Sequence, residues 1–584
     1  MSAAATSSSK RVAVVGSGLA GLTTAHLLQK NGCEVELFEK ASAVGMDAGS
    51  LDVDGVRVDV PFRVITPDYY PYLFSLYNYL DIKFAAADYS MGFTDEHAKS
   101  IWSYTNIALG NFQMSIPDSI RRGARLAVTR DWVRLVFACL WIMRNPSLLR
   151  PGGRLAGLTI GQYLEKERYG REFTTRVFIP FIASLLTCSL SAAESYPATV
   201  ILHFISKVVC GTRIRKAKNG VQEVCELLTC NLNKVHLNSS IDRVVLHDKG
   251  RSEKRQVLLV TADGKEHWFD EIVLATPADT AAQLLRSIET EKGLDEFPPR
   301  ALLRALESVI YEDTQVFTHR DESVMPARRA EWRGVNIRTA AKRDHAMASH
   351  WINYVERTTS GFTLDTEVFQ TVDPLVPLDK AKIISTTAFH RSLVTIESQA
   401  QINTIHRHQG QCGIWLVGTY TSPGVPLLEG CVRTAVDVVR AISGNVPFAA
   451  PHMMRTGPSG VAYEVGLGPD MVRGEIVEAY FECDAAGTFA FPCPLLASQA
   501  IKCGAAAHKS GLAARLRAWT AWLGFMVVLP LLSVLFSAAG AATRGLLGTD
   551  LGSRVQLAAL DILVYLACMG QLTYKWATTS ILIE

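Results

Sequence analysis

This sequence lacks cysteines arranged in a recognisable motif. Its 584 residues include 12 cysteines, yet they contain no Cys-x-x-Cys pair and no tight cluster of cysteine with histidine. Zinc sites and disulfide frameworks show such regular spacings. The sequence therefore predicts neither a metal site nor a disulfide framework, and reduced thiols in the cytosol are the simplest expectation.

An excess of charge of one sign is missing too. Lys and Arg number 59 and Asp and Glu number 56, which gives a formal net charge of +3. Without a strong basic field, a nucleic-acid partner is not expected. The sequence also lacks an HExxH motif, a paired-carboxylate motif and a recognisable Ser/His/Asp set. The catalytic residues are consequently unknown at this stage.

Charged residues are scarce at 20%, against 48% hydrophobic residues, and the mean hydropathy is positive at +0.14. The apolar excess is concentrated near the C-terminus. Ala518 to Ala542 is a run of 25 residues without a charge, long enough as a helix to cross a hydrocarbon core of about 30 Å. A second run, Val555 to Tyr574, contains Asp561 and either returns across the bilayer, lies in it or packs against the first run. The sequence predicts a transmembrane hairpin over 516–576, with a buried hydrophobic hairpin as the alternative.

Basic residues precede the first apolar run. By the positive-inside rule they place the large N-terminal part in the cytosol, although Arg544 and Arg554 weaken the asymmetry. The predicted location is therefore a membrane, with the N-terminal part facing the cytosol. The preceding basic residues are Lys502, Lys509, Arg515 and Arg517.

A glycine motif near the N-terminus carries the clearest chemical signal. The pattern predicts a strand from Arg11, a helix over Leu19 to Lys30 that Gly32 ends, and a second strand before Glu39. The glycines between strand and helix have the spacing Gly-x-Gly-x-x-Gly. They are Gly16, Gly18 and Gly21.

Each glycine has a physical task in a dinucleotide site. Gly16 permits the tight turn, Gly18 lets the backbone approach a pyrophosphate, and Gly21 lets the helix pack closely on the strand. The positive end of the helix dipole then faces the phosphates. Glu39 follows Gly21 by 18 residues, where an acid accepts hydrogen bonds from ribose hydroxyls. The motif occurs once, so a second dinucleotide site is not expected.

The run VAVVGSGLAGLTTAHLLQKNGCEVELFEKASAVG resembles the opening of FAD-dependent oxidoreductases of the amine oxidase and phytoene desaturase superfamily. The following MDAGSLDVDGVRVDVPFRVITPDYYPYLFSLYNYLDI is similar to a narrower group, predicted NAD/FAD-binding proteins with relatives fused to plant cyclopropane fatty acid synthases. FIPFIASLLTCS, FDEIVLATPAD, THRDESVMPARRAEW and HWINYV extend the resemblance over residues 10–445. It implies FAD as the cofactor.

The resemblance also implies the cofactor contacts. Glu39 would hold the adenosine ribose, Val244 would offer its backbone to adenine, and the helix that begins near Glu429 would face the flavin or the pyrophosphate. The full set is Gly16, Ser17, Gly18, Leu19, Ala20, Gly21, Glu39, Lys40, Gly45, Val244, Gly418, Glu429 and Gly430.

Several positions depart from the family pattern on the flavin side. Met46 replaces a second glycine, Asp59-Val60-Pro61 replaces Asp-x-Gly, Leu427-Leu428 precedes Glu429 instead of His-Glu, and Thr419 replaces an acid. Met46 and Pro61 each put a constrained backbone where the family has a flexible one. The sequence therefore predicts that the FAD site follows the family pattern more closely around the adenosine than around the flavin ring.

The predicted fold is an α/β, two-lobe FAD-binding fold of Rossmann type, amine-oxidase-like, with a C-terminal transmembrane hairpin. The predicted ranges are a disordered leader at 1–10, a discontinuous FAD-binding domain at 11–85, 220–295 and 395–445, a substrate domain at 86–219 and 296–394, and a linker at 446–515.

Three further features have two readings each. His390 is either a proton acceptor or structural. Trp332, Trp351 and Asn353 either line a substrate pocket or belong to the core. The arginine-rich stretch 115–150 either lies on an anionic membrane or is a helix of the substrate lobe.

Three functions follow. The first is a membrane-anchored FAD-dependent oxidoreductase that oxidises or desaturates a C–H bond of a hydrophobic substrate, such as a lipid, terpenoid or polyketide. The second is a flavin-containing amine oxidase. The third is a degenerate flavoprotein that binds the nucleotide structurally and serves as a membrane partner of another enzyme.

Overall fold

The computed structural model describes most of the first 448 residues and two short segments beyond them. The described ranges are 9–45, 49–109, 112–118, 126–144, 146–149, 153–247, 256–290, 297–357, 359, 362–448, 454–456 and 462–464. The predicted leader lies outside them except for residues 9 and 10. Both predicted membrane segments and most of the predicted linker also lie outside them.

The strands are numbered in chain order. They are β1 Arg11–Val15, β2 Glu34–Phe38, β3 Ser50–Val53, β4 Val56–Asp59, β5 Phe84–Ala86, β6 Met91–Thr94, β7 Ser100–Leu109, β8 Phe112–Pro117, β9 Cys210–Thr212, β10 Arg215–Ala217, β11 Lys234–His236, β12 Ile241–His247, β13 Gln256–Thr261, β14 Glu266–Phe269, β15 Glu271–Leu274, β16 Glu289–Thr290, β17 Tyr311–His319, β18 Val335–Arg338, β19 Met347–Trp351, β20 Phe369–Val372, β21 Ile383–Ser392, β22 Ile414–Leu416, β23 Met454–Thr456 and β24 Ala462–Glu464.

The α-helices are numbered in the same way. They are α1 Leu19–Lys30, α2 Pro71–Tyr79, α3 Leu126–Arg144, α4 Ile160–Lys166, α5 Arg171–Phe173, α6 Ile179–Leu186, α7 Leu190–Ser195, α8 Ala198–Val208, α9 Val221–Thr229, α10 Ala278–Arg286, α11 Arg300–Glu307, α12 Ile352–Val355, α13 Ile396–Arg407 and α14 Leu428–Ser443.

A five-stranded parallel sheet in the order β11-β2-β1-β15-β22 carries the glycine motif. Its central strands are almost continuously apolar because helices and a second sheet cover both faces. Val12 and Val14 belong to the same buried cluster as apolar residues of α1 and α14. Ala13 and Val15 point the other way, as the alternation of a strand requires.

The opposite face of this sheet packs on a four-stranded sheet in the order β14-β13-β12-β16. Val244 and Leu246 of β12 and Leu259 of β13 are buried in one cluster with Val15 and Phe38 of the parallel sheet. The strands β12, β13 and β14 form an antiparallel meander. This packing puts β12 in one buried cluster with the last residues of β1 and β2.

A nine-stranded, largely antiparallel sheet forms the other large layer, in the order β21-β17-β20-β19-β18-β6-β7-β8-β9. All nine strands come from the ranges predicted as the substrate domain. The five parallel strands come from the ranges predicted as the FAD-binding domain. The domain boundaries themselves stay a prediction.

The arginine-rich stretch contains α3. Val128, Trp132 and Leu135 are buried in the core, and Arg134 donates to the carbonyl oxygen of Glu167 at 2.7 Å and to Asp131 Oδ1 at 3.0 Å. These contacts favour a helix of the substrate lobe over one lying on a membrane. The arginines at 121, 122, 125 and 150 lie outside the described residues.

Within the described ranges, no helix combines the length and the apolarity needed to cross a bilayer. Part of the predicted linker contains a short antiparallel pair, β23 with β24. Seven cysteines whose side chains the structure describes form no disulfide bond: Cys33, Cys139, Cys188, Cys225, Cys230, Cys412 and Cys431.

Candidate functional site

The glycine turn joins β1 to α1 and has the close packing that the motif predicts. Gly16 has φ +103°, and a Cβ there would lie 2.6 Å from the carbonyl oxygen of Ala275. A Cβ at Gly21 would lie 2.0 Å from the carbonyl oxygen of Gly16. Side chains are thus excluded at both positions, by the turn at Gly16 and by the helix contact at Gly21.

Gly18 differs because it faces open space. A Cβ there would meet no described atom within 4 Å, and its φ of −62° suits any residue. Gly18 begins α1 without a side-chain cap, and the first turn contains no acid. Leu19 and Ala20 continue that turn, whose first amides have no partner within the helix. The space and the unopposed amides fit a pyrophosphate.

Glu39 lies at the end of β2, beside the turn. Its Oε2 accepts hydrogen bonds from the backbone N of Ser17 at 2.9 Å and from Ser17 Oγ at 2.6 Å, and its Oε1 accepts one from Ala41 N at 2.9 Å. Gly45 N donates to Ser17 Oγ at 3.2 Å. Ser17 therefore ties the acid to the glycine turn and to Gly45. Lys40, next to the acid, is exposed.

Thr276 is a neighbour of this turn that the sequence reasoning did not single out. It follows β15, and its backbone N would lie 3.6 Å from a Cβ at Gly16. Its Oγ1 is buried and has no hydrogen-bond partner among the described residues. An orphaned buried hydroxyl beside the open space is a polar group that a ligand can satisfy. Its place at the carboxyl end of a parallel strand was the available signal.

Gly418 and Gly430 lie in the segment after β22. Gly418 has φ +146°, and its N donates to Thr434 Oγ1 of α14 at 3.1 Å. A Cβ at Gly430 would lie 3.1 Å from the Cβ of Ser422. Both glycines hold the start of α14 close to the 419–422 loop.

The Glu429 side chain has an internal task. It is 4% exposed, and its two carboxylate oxygens accept from the backbone N of Tyr72 at 3.1 Å and of Leu73 at 3.0 Å. These amides belong to the first turn of α2, so the carboxylate caps that helix. The predicted cofactor contact of Glu429 is therefore limited to its backbone.

Asp59 also acts inside the scaffold. Its Oδ1 accepts from Val221 N at the start of α9 at 2.9 Å and from Ser50 Oγ at 2.7 Å. Gln370 of β20 contacts the backbone on either side of Val60-Pro61. Its Nε2 donates to Asp59 O at 2.6 Å, and its Oε1 accepts from Phe62 N at 2.8 Å. The departure at Val60-Pro61 is thus held against the nine-stranded sheet.

Next to Gln370, a buried histidine lies beside Phe62. Its Nε2 is 2.7 Å from the hydroxyl of Tyr89, and burial lowers the pKa of this residue, His350, to about 4. The imidazole is therefore neutral at pH 7. This pair could not be predicted from the sequence, because Tyr89 and His350 are 261 positions apart and meet only in the folded protein.

His390 lies at the edge between α10 and the nine-stranded sheet. Its Nδ1 is 2.7 Å from Asp313 Oδ1, its Nε2 is 3.2 Å from Asp279 Oδ2, and its ring stacks on Tyr311 with centroids 4.4 Å apart. The hydrogen bond to Asp313, followed by that to Asp279, raises its pKa. The two carboxylates favour the structural reading of His390.

Trp332 is a core residue, and Asn353 is a partly exposed residue whose side chain bonds to the backbone of residues 366 and 368. Trp332 is 7% exposed and packs edge-on against Trp351 and Phe369. Asn353 accepts from Val368 N at 2.8 Å and donates to Thr366 O at 2.9 Å. Trp332 and Trp351 lie on the face of the nine-stranded sheet opposite to the Gln370 side chain. Their packing against each other favours a role in the core.

Comparison with known proteins gives a family match for the N-terminal segment. Residues 14–80 match the NAD(P)-binding Rossmann-like domain family. Over 61 residues the chain is 46% identical to zeta-carotene desaturase of Synechocystis sp., a match that spans 10% of this chain and 12% of that protein.

Solved structures share the fold over a longer range. A putrescine oxidase double variant and the cyclohexylamine oxidase of Brevibacterium oxydans each match with a TM-score of 0.51, at 15% and 14% identity, over 75% of this chain and 99% of theirs. The resemblance to the amine oxidase and phytoene desaturase superfamily is thereby confirmed for the Rossmann segment and for the fold. FAD as the cofactor and an oxidoreductase activity agree with these comparisons.

Proposed function

We propose that this chain is a membrane-anchored FAD-dependent oxidoreductase that oxidises or desaturates a C–H bond of a hydrophobic substrate. One observation carries the cofactor: the open space at Gly18, before uncapped amides of α1 and beside Glu39. Bound FAD would supply an acceptor for a hydride. The likeness to flavin-type oxidases in fold supports the reaction class.

The chain's residues would hold the cofactor at several places. The α1 amides and Gly18 would face the pyrophosphate. Glu39 would accept hydrogen bonds from the ribose, whose hydroxyl would compete with Ser17 Oγ for the same carboxylate oxygen. Val244, buried in β12 in the same cluster as Phe38, would present its backbone to adenine. Thr276 Oγ1 would gain a partner.

The hydrophobic substrate and the membrane location rest on the C-terminal sequence. The uncharged run Ala518–Ala542 would anchor the protein where apolar molecules are concentrated. The basic residues before it place the FAD-binding part in the cytosol. The substrate would be a lipid, terpenoid or polyketide, in which the enzyme oxidises a C–H bond.

The test is a spectroscopic one on the full chain purified in detergent. A visible flavin spectrum should be bleached by dithionite, and anaerobic addition of a desaturable acyl or isoprenoid substrate should bleach it as well. A bound flavin that dithionite reduces but no hydrophobic candidate reduces would contradict the substrate class. Absence of flavin would contradict the cofactor.

An amine oxidase is the second candidate, favoured by the fold match to putrescine oxidase and cyclohexylamine oxidase. In that case amines would bleach the flavin anaerobically, and air would give peroxide with release of the amine nitrogen. The third candidate is a flavoprotein without turnover. It is motivated by the internal use of the Glu429 and Asp59 side chains on the flavin side, and it predicts a flavin that no substrate reduces.

A further inference from the structure

Three potential metal ligands converge between the parallel sheet and the four-stranded sheet. They are the Glu36 carboxylate of β2, the His236 imidazole of β11 and the His267 imidazole of β14, with one ligand atom from each lying within 4.8 Å of the others. The pattern of cysteine and histidine in the sequence predicted no such site. The group is separate from the glycine turn and has no part in the proposed reaction.

The spacing of the three ligand atoms suits one metal ion. His236 Nε2 lies 2.9 Å and His267 Nδ1 3.5 Å from the same oxygen, Glu36 Oε2. Zinc binds imidazole nitrogen and carboxylate oxygen at about 2.0–2.2 Å in a tetrahedron, so its ligand atoms are about 3.3 Å from one another. Small movements of the side chains would therefore close the site.

One aromatic ring orients both imidazoles. The Phe38 ring stacks on His236 with centroids 4.5 Å apart and 12° between the planes, and it meets His267 edge-on at 5.1 Å and 79°. The ligand side chains are thus largely positioned before any ion arrives.

Two cations share the other carboxylate oxygen and must be accommodated. Lys234 Nζ lies 2.9 Å and an Arg11 nitrogen 3.3 Å from Glu36 Oε1. Their side chains are 46% and 40% exposed, and both already contact Glu34, at 3.1 Å and 3.7 Å. Glu34 can therefore take over both cations while Glu36 Oε2 turns to a metal. Their positive charge makes the site weaker than one without them.

We propose that Glu36, His236 and His267 bind a single divalent transition-metal ion, with Zn²⁺ the preferred ion for two imidazoles and a carboxylate. The ion joins the short edge strand β11 and the β13–β14 hairpin to β2. His236 O accepts from Glu39 N at 2.8 Å, so the same link braces the strand end that carries the ribose-binding acid. Water completes the tetrahedron through the exposed edge of the two imidazoles.

The experiment is a zinc titration of the full chain in detergent, stripped with a chelator and with its thiols alkylated so that cysteines do not compete. A chromophoric chelator reports the free Zn²⁺. One Zn²⁺ should bind per chain and raise the midpoint of thermal unfolding. His267→Gln and Glu36→Gln should each weaken binding by about tenfold or more and remove the thermal shift.

Two further variants separate a metal site from a mere ion cluster. Lys234→Gln should tighten zinc binding, because it removes an opposing charge and leaves the three ligands intact. His408→Gln, which changes an exposed histidine bonded to Gln411, should bind zinc like the unchanged chain. No zinc binding in the unchanged chain would overturn the proposal, as would equal binding in His267→Gln. Zinc stoichiometry is read independently of flavin, so neither result bears on the cofactor.

Discussion

Two glycines of the same turn differ in what surrounds them, and this difference gives a first prediction. Gly18→Ala adds a methyl group to open space with an allowed φ, so the protein should fold while FAD binds about tenfold or more weakly, because the methyl occupies the pyrophosphate position. Gly21→Ala places a Cβ 2.0 Å from the Gly16 carbonyl oxygen, so it should prevent normal folding. FAD titration and thermal unfolding measure both.

The matched control is Gly49→Ala, whose Cβ would meet Gln222 Oε1 at 3.9 Å and no other atom of the described residues within 4 Å. It should leave both flavin affinity and the unfolding midpoint unchanged. Unaltered flavin affinity in Gly18→Ala would show that the pyrophosphate does not approach this turn.

Glu39 gives the second prediction at the residue scale. Hydrogen bonds to a charged group contribute about 1.5–3 kcal/mol each, so Glu39→Gln should lower FAD affinity about 10- to 100-fold. Glu34→Gln, at the exposed start of the same strand, should leave the affinity within about twofold. Equal FAD affinities in the two variants, measured by fluorescence titration, would contradict a contact between Glu39 and the ribose.

At the scale of elements, the Glu429 carboxylate joins α14 to the first turn of α2. Glu429→Ala would leave the buried amides of Tyr72 and Leu73 without this acceptor, so the free energy of unfolding should fall by about 2–4 kcal/mol. Glu307→Ala, at a surface ion pair with Arg286, should cost less than about 1 kcal/mol. Chemical denaturation measures both, and equal losses would contradict the capping role.

The contact of α10 with β17 and β21 through His390 should depend on pH. Asp313 and Asp279 raise the folded-state pKa of His390 above its value in the unfolded chain. Its stabilising effect is therefore fully present below pH 6.5 and is lost as the pH rises through the folded-state pKa. The unfolding midpoint of the unchanged chain should exceed that of His390→Gln at pH 5.5, and the gap should narrow by pH 8.5. A gap that widens with pH would refute the pairing.

Local patterns explain which elements the sequence could predict. The β1–turn–α1–β2 unit has the predicted bounds Leu19–Lys30 for its helix, because glycine spacing and apolar periodicity are properties of neighbouring residues. The helix predicted to begin near Glu429 is α14, Leu428–Ser443, and its start is specified in the same way. Helix ends of this kind are specified locally.

The long-range contacts were not predictable in this way. Glu36 and His236 are 200 positions apart, and only the parallel pairing of β2 with β11 brings them together. The Glu429 side chain caps α2, which lies more than 350 positions earlier in the chain, while the predicted contact of its helix start with the cofactor stays a prediction. A short sequence window contains the residue types of such sites but not their partners.

At the scale of the whole molecule, we propose that the C-terminal segment anchors the protein to a membrane. The full chain should remain in the membrane fraction after a carbonate wash, because about 20 apolar residues suffice to span a bilayer. A chain ending at residue 445 should appear in the supernatant and keep its flavin. Recovery of the full chain in the supernatant would contradict a membrane anchor.

The most direct test of the central claim is the identity and amount of the nucleotide released from the full chain on denaturation, resolved by chromatography. The glycine turn, the uncapped α1 amides and Glu39 are compatible with any ADP-containing dinucleotide, whereas the fold of the described chain is shared with a putrescine oxidase and a cyclohexylamine oxidase. We expect one FAD to be released per chain. Release of a nicotinamide dinucleotide, or of no nucleotide even after incubation with FAD, would contradict it.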